Sequence, residues 1–230
     1  MGRRSSIQLE RREMPAYTIA EAAHYLSVPQ ATVRYWSNGR GNCLPLINIP
    51  ESKPSLLSFF NLVELHVLAA IRRKHTVPML KVRAAIKYLS RHIQTTGDKK
   101  HPLISKVLET NGLDLFIRRY GELVNISRDG QIVLRDVLCA ALHRIERDKQ
   151  GIPIKLYPYT RSEIDQAPTM IVIDPALAAG RPVIVGTGLA TEVIAERYKA
   201  GDSIEELAQD YERTEEEIEE AVRCELQAAA

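Results

Sequence analysis

Tyr17-Thr18-Ile19-Ala20-Glu21-Ala22-Ala23-His24-Tyr25-Leu26-Ser27-Val28-Pro29-Gln30-Ala31-Thr32-Val33-Arg34-Tyr35-Trp36 is the stretch that decides the fold. Thr18 and Glu21 stand three apart at the head of an apolar pattern, the spacing of a capping box. The hydroxyl takes the amide three residues on, and the carboxylate reaches back. Ile19, Ala22, Ala23 and Leu26 then repeat at helical spacing, Ser27-Val28-Pro29 interrupts them, and Ala31, Val33 and Trp36 form a second short pattern. The reading is helix, tight turn, helix. Such a pair presents its second helix to the DNA major groove, so the early exposed positions of that helix must be polar. Here they are Gln30, Thr32, Arg34 and Tyr35. Arginine forks onto guanine and glutamine onto adenine, while threonine and tyrosine more often hold phosphates. Val33 and Trp36 are expected in the core.

Outward from this stretch, Gly39 and Gly41 close the second helix. Leu44–Ile49 and Leu56–Phe59 predict a two-stranded ribbon with a polar, proline-containing tip. Asn61 and Glu64 predict another capped helix, with Leu62, Leu65, Leu68 and Ile71 as its buried stripe and Arg72-Arg73-Lys74-His75 at its end. Pro78 opens a further helix that runs through Val82, Ala85, Ile86 and Leu89 to about His92. Thr18, Arg40, Lys53, Arg72, Arg73 and Lys74 join the four residues of the second helix as candidate DNA contacts. If five or six cations neutralise phosphates, affinity falls steeply with salt.

Thr95–Lys100 reads as a linker or exposed loop. Between Leu103 and Leu134 the pattern alternates, as in Leu115-Phe116-Ile117 and Leu123-Val124-Asn125-Ile126, and Asp129-Gly130 is a turn dipeptide. A hairpin or small sheet is expected there. Asp136 to Asp148 returns to helical spacing. Ile152–Tyr159 reads as a strand that Pro153 and Pro158 demote to an edge or a crossing arm, and Met170–Ile173 as another strand. Three helices close the chain: Leu189 to Ala200 stopped by Gly201, then two opened by the boxes Ser203/Glu206 and Thr214/Glu217. The expected fold class is mainly α with small β elements (α+β). A basic arm (1–14) precedes a winged helix-turn-helix (15–93), a mixed central module (100–165) and a three-helix module (168–230).

The 230 residues are 45% hydrophobic and 26% charged, a balance that argues against wholesale disorder. Cys43, Cys139 and Cys224 lie far apart, which argues against a disulfide scaffold and a zinc finger. No secretory signal or membrane span is legible, so a reducing, cytoplasmic setting is expected. Neither a nucleophile elbow nor a metal-binding histidine motif occurs, and the six histidines stand singly. Gly186-Thr187-Gly188 lacks the Lys-Ser/Thr of a phosphate loop and reads as a turn. The chain is thus expected to be no enzyme and to need no cofactor or metal.

The net charge of +2 conceals a division. Residues 1–150 hold 24 Lys and Arg against 13 Asp and Glu, a net of +11, whereas 151–230 hold 7 against 16, a net of −9. A front that faces a polyanion and a back that faces something else is the expectation.

The run from Tyr17 through Trp36 resembles the winged helix-turn-helix of the MerR superfamily, and the likeness extends to about Leu89. It implies a DNA-binding first domain, with Arg34 and Tyr35 at positions that family uses on DNA. Ile171-Val172-Ile173-Asp174-Pro175, Gly180-Arg181-Pro182-Val183 and Gly186-Thr187-Gly188, followed by the capped helices, resemble the domain of unknown function 433. That resemblance implies a toxin–antitoxin setting beside a PIN-like ribonuclease. The combination resembles a VapB-type antitoxin, whose expected partners are double-stranded operator DNA, a PIN-like ribonuclease toxin and a second copy of the chain. The acidic run that holds Glu216, Glu219 and Glu220 is either a solvated helix face or a docking surface for a basic partner. Arg181 or Arg197 could instead pair with the toxin's carboxylates. A stand-alone regulator whose last domain drives oligomerisation is the alternative.

Overall fold

The computed structural model describes residues 11–74, 79–93, 99–106, 108, 112–124, 127–161 and 167–226, the side chains of Arg73 and Lys74 excepted. Most of the basic arm, Pro78 and the greater part of the Thr95–Lys100 loop lie outside the described residues.

The two leading helices form as the sequence predicts. Helix α1 (Ile19–Tyr25) carries the Thr18/Glu21 box, with the Glu21 amide donating to Thr18 Oγ1 at 3.1 Å and the Thr18 amide to Glu21 Oε2 at 2.7 Å. Ser27, at φ 49°, turns the chain, and the Val28 amide returns to the Ala23 carbonyl at 2.9 Å. Helix α2 (Gln30–Asn38) lays Val33 and Trp36 on the core at full burial.

The expected ribbon does not form. Segment 39–58 folds back on its surroundings instead. Arg40 and Cys43 bond each other across a tight loop, the Leu46 amide donates to the Trp36 carbonyl at 2.7 Å, and Leu57 pairs with Tyr17 through bonds of 2.7 and 2.9 Å. Pro45, Pro50 and Pro54 remove the donors a ribbon would need, and the carbonyls at the end of α2 need partners.

Helix α3 (Phe59–Lys74) starts earlier than Asn61. Ser58 is the capping residue: its Oγ accepts from the Asn61 amide at 3.2 Å, and Asn61 Oδ1 accepts from the Ser58 amide at 3.1 Å. Asparagine thus closes the box, and Glu64 is left for another task. Helix α4 (Met79–His92) follows, then a 3-10 turn at Pro102–Ile104.

The predicted central hairpin is two helices, α5 (Leu113–Val124) and α6 (Arg128–His143). Leu113, Phe116, Ile117 and Tyr120 fall at helical spacing and are buried, whereas Leu115 and Leu123 are only partly so. The alternating triplets belonged to a longer period. Asp129-Gly130 lies in the first turn of α6, where Ser127 Oγ accepts from the Gly130 amide at 3.2 Å.

Four short strands form one antiparallel sheet in the order β1 (Ile145–Arg147), β2 (Pro153–Leu156), β3 (Ile171–Ile173) and β4 (Pro182–Ile184). β2 is therefore interior, not the edge its prolines predict. Pro153 is tolerated because it faces Arg147 where the register shifts. Helices α7 (Thr191–Ala200), α8 (Ile204–Asp210) and α9 (Glu215–Leu226) complete the chain, with Gly201 left-handed at the end of α7. The fold is mainly α with a small sheet.

One buried cluster runs from Tyr17 and Trp36 through α3 to α6 and reaches Leu156 and Ile173. A second joins Ile171, Ile184, Ile194, Leu207, Ile218 and Ala221. Strand β3 serves both, since neighbouring odd positions of one strand extend along the same face. Among the described residues no helix is long and apolar enough to cross a membrane.

Candidate nucleic-acid interface

Gln30, Arg34 and Asn38 are exposed and stand four apart along α2, so they line one face of it. Beneath them Val33, Trp36 and Ser37 are buried, and Ser37 Oγ donates to the Val33 carbonyl at 2.8 Å. A rigid, core-backed helix thus presents an amide, a guanidinium and a second amide to solvent. Those groups can bond to base edges and to phosphates.

The remaining candidates differ in their surroundings. Thr32 is buried, and its Oγ1 accepts from Arg72 Nη1 at 2.8 Å, so this pair ties α2 to α3. Tyr35 is half-buried with the Arg83 guanidinium 5.9 Å from its ring centroid. Thr18 is exposed, yet its hydroxyl is engaged with Glu21 on both sides of the cap. Arg40 and Lys53 are exposed on segment 39–58. The side chains of Arg73 and Lys74 lie outside the described residues.

Sequence reasoning missed the cations of α4. Arg83 donates to the Leu44 carbonyl and sits beside Tyr35, which places it next to α2, and Lys87 is exposed one turn on. Their spacing of four on a predicted helix was a legible signal.

In the C-terminal unit the candidates are mostly committed internally. Arg197 pairs with Asp202 at 2.5 Å and Asp210 at 2.7 Å and lies over the Tyr211 ring. Arg181 faces Glu21 of α1 at 2.9 Å. Glu220 does not belong to a solvated acidic run. It is fully buried and accepts from Arg161 Nη2 at 2.8 Å and Nε at 3.2 Å, with Arg223 at 3.5 Å. Glu217 closes the Thr214 box, its amide donating to Thr214 Oγ1 at 3.2 Å. Glu215, Glu216 and Glu219 remain exposed. Among the described residues no group of three His, Cys, Asp or Glu is arranged to hold a metal ion.

Fold and surface define the chain as a helix-turn-helix protein with a second, acidic three-helix unit. A family model described as "Putative DNA-binding HTH domain" matches residues 15–86, and one described as "Protein of unknown function (DUF433)" matches residues 171–223. Both domains are present in the chain. "Putative antitoxin VapB45" of Mycobacterium tuberculosis is 29% identical over 245 residues, which covers 94% of this chain and 96% of that protein. "Uncharacterized protein Rv2308" of the same organism is 27% identical, covering 90% of this chain and 88% of that protein. The crystal structure of Rv2018 from M. tuberculosis shares the fold at a TM-score of 0.70 and 26% identity, covering 91% of this chain and 98% of that one.

Proposed function

We propose that the chain is the antitoxin of a toxin–antitoxin pair, which represses its own operon through the helix-turn-helix and neutralises a PIN-like ribonuclease through the acidic unit. The observation that carries the first half is the exposed Gln30–Arg34–Asn38 face backed by buried Val33 and Trp36. A palindromic operator is read by two heads one helical turn apart, so the DNA-binding form is a homodimer. Gln30, Arg34 and Tyr35 act at the bases and adjacent phosphates; Arg40, Lys53, Arg72, Arg73 and Lys74 add phosphate contacts. Thr18 and Thr32 serve by fixing α1 and α2 in place.

The second half draws on the antitoxin name of a relative that aligns along nearly the whole of both chains. A ribonuclease needs a basic face for its substrate, and the net −9 of residues 151–230 complements such a face. Glu216 and Glu219 are the exposed carboxylates assigned to that contact, with Glu215 beside them. Co-expression with the product of the adjacent gene tests this reading. Co-purification and loss of ribonuclease activity are expected, and Glu216→Lys with Glu219→Lys should weaken the complex at least tenfold. A chain that purifies alone and leaves the nuclease active is a stand-alone regulator instead.

A further inference from the structure

The acidic unit grips α1 and the residue that precedes its cap. At one end Tyr17 Oη donates to the Gly180 carbonyl at 3.0 Å in a buried contact. Gly180 has φ +81°, and a Cβ there would lie 2.4 Å from Tyr17 Oη, so the approach needs glycine for both backbone and space. One turn on, Arg181 Nη1 lies 2.9 Å from Glu21 Oε1 and 3.5 Å from Tyr25 Oη. Glu21 thereby caps α1 with Oε2 and holds Arg181 with Oε1. At the other end His24 Nε2 lies 3.4 Å from Glu225 Oε2, while Glu225 Oε1 accepts from Thr191 Oγ1 at 2.5 Å. Burial opposes the charge of Glu225, but the bonds from His24 and Thr191 outweigh it and hold its carboxyl below the usual range.

Glu21 and His24 are three apart on one face of α1, and Tyr17, in the extended segment just before the capping Thr18, continues the seam past the start of the helix. The helix has only seven residues, too few to persist without tertiary support. Its buried Ala22 and Ala23, with Leu26, belong to the same cluster as Val33 and Trp36 of α2. Whatever fixes α1 therefore fixes the angle at which α2 stands out from the core.

We propose that Gly180, Arg181 and Glu225 are positioning residues for DNA reading: the acidic unit clamps α1 and through it sets the pose of α2. The proposal rests on the DNA-reading role assigned above. By linkage, a partner that binds the acidic unit and shifts this seam changes DNA affinity, and DNA changes the partner's affinity by the same factor.

The test uses the full chain on its own upstream duplex and on a scrambled duplex, at several salt concentrations. Arg181→Ala, Glu225→Gln and the double variant Tyr17→Phe/Arg181→Ala are compared with the unaltered chain, and amide hydrogen exchange is followed over 19–25. Loosening of α1 should lower the ratio of specific to scrambled affinity at least fivefold in the double variant. The salt slope should stay the same, because no phosphate contact is lost. Arg181→Lys should recover part of the ratio, and α1 amides should exchange faster in the alanine variants. If the double variant fails to fold, Arg181→Ala and Glu225→Gln carry the same comparison. A preference that survives in every variant overturns the positioning role. An unaltered chain with no preference for its own duplex overturns the DNA reading itself and this proposal with it.

Discussion

Glu64 shows how a single residue can be misread when its neighbours supply a tidy local explanation. Three positions after Asn61 it completes the spacing of a capping pair, yet it is 1% exposed and its Oε2 lies 2.9 Å from His101 Nδ1. Burial drives its carboxyl above the ordinary 4.5, opposed by the bonds from His101 and Asn61. With the folded value above the unfolded one, the native state keeps a proton that the unfolded chain releases. Stability therefore falls as pH rises from about 4.5 through the folded value. Denaturant midpoints taken across that range should fall for the unaltered chain and flatten for Glu64→Gln; equal slopes would exclude the effect. At pH 7, Glu64→Leu should cost about 1–3 kcal/mol because His101 loses its buried partner, whereas Glu64→Gln should cost less. Nothing in the sequence brings His101 to Glu64, because 37 residues separate them and only the packing of α3 on the Pro102–Ile104 turn joins them.

At the scale of elements, legibility followed the range of the interactions that define each one. The Thr18/Glu21, Ser203/Glu206 and Thr214/Glu217 boxes are complete within four residues, and all three were legible. Gln30 and Arg34 were legible for the same reason, since helical spacing places them, whereas Thr32, expected on the exposed face, is buried, and Asn38, which completes that face, was missed. Segment 39–58 was not legible because the bonds that place it, from the Leu46 and Ile47 amides to Trp36 and between Leu57 and Tyr17, reach outside the segment. Glu220 was misjudged for a similar reason, since its partner Arg161 is remote in sequence, and the pairing of Arg181 with Glu21 was illegible on the same ground. Two substitutions probe these elements. Ser127→Ala removes the cap of α6 and should cost about 1 kcal/mol, measured as a lower thermal midpoint. Gly39→Ala puts a Cβ 2.3 Å from the Cys43 carbonyl at a φ of +75°. It should destabilise by about 1–3 kcal/mol and disturb the Arg40–Cys43 loop at the end of α2. A midpoint unchanged in either variant would contradict the geometry described for it.

Across the whole molecule, the division of charge acquires a mechanical counterpart. The net +11 of residues 1–150 and the net −9 of 151–230 meet at a seam of Tyr17–Gly180, Glu21–Arg181 and His24–Glu225 contacts. In the proposed function the two charges serve two partners, and the proposed seam couples one end to the other. The claim on which the rest depends is that α2 reads DNA. Its most direct test is the affinity of the chain for its own upstream duplex against a scrambled one, measured from low to moderate salt for the unaltered chain and for Arg34→Ala. The account predicts a clear preference for the upstream duplex and a steep loss of affinity with salt. Arg34→Ala should weaken specific binding by about 1–3 kcal/mol and narrow the preference. Equal, weak binding to both duplexes that Arg34→Ala leaves unchanged would contradict it, and would turn the Gln30–Arg34–Asn38 face from a reader of DNA into a docking surface for protein.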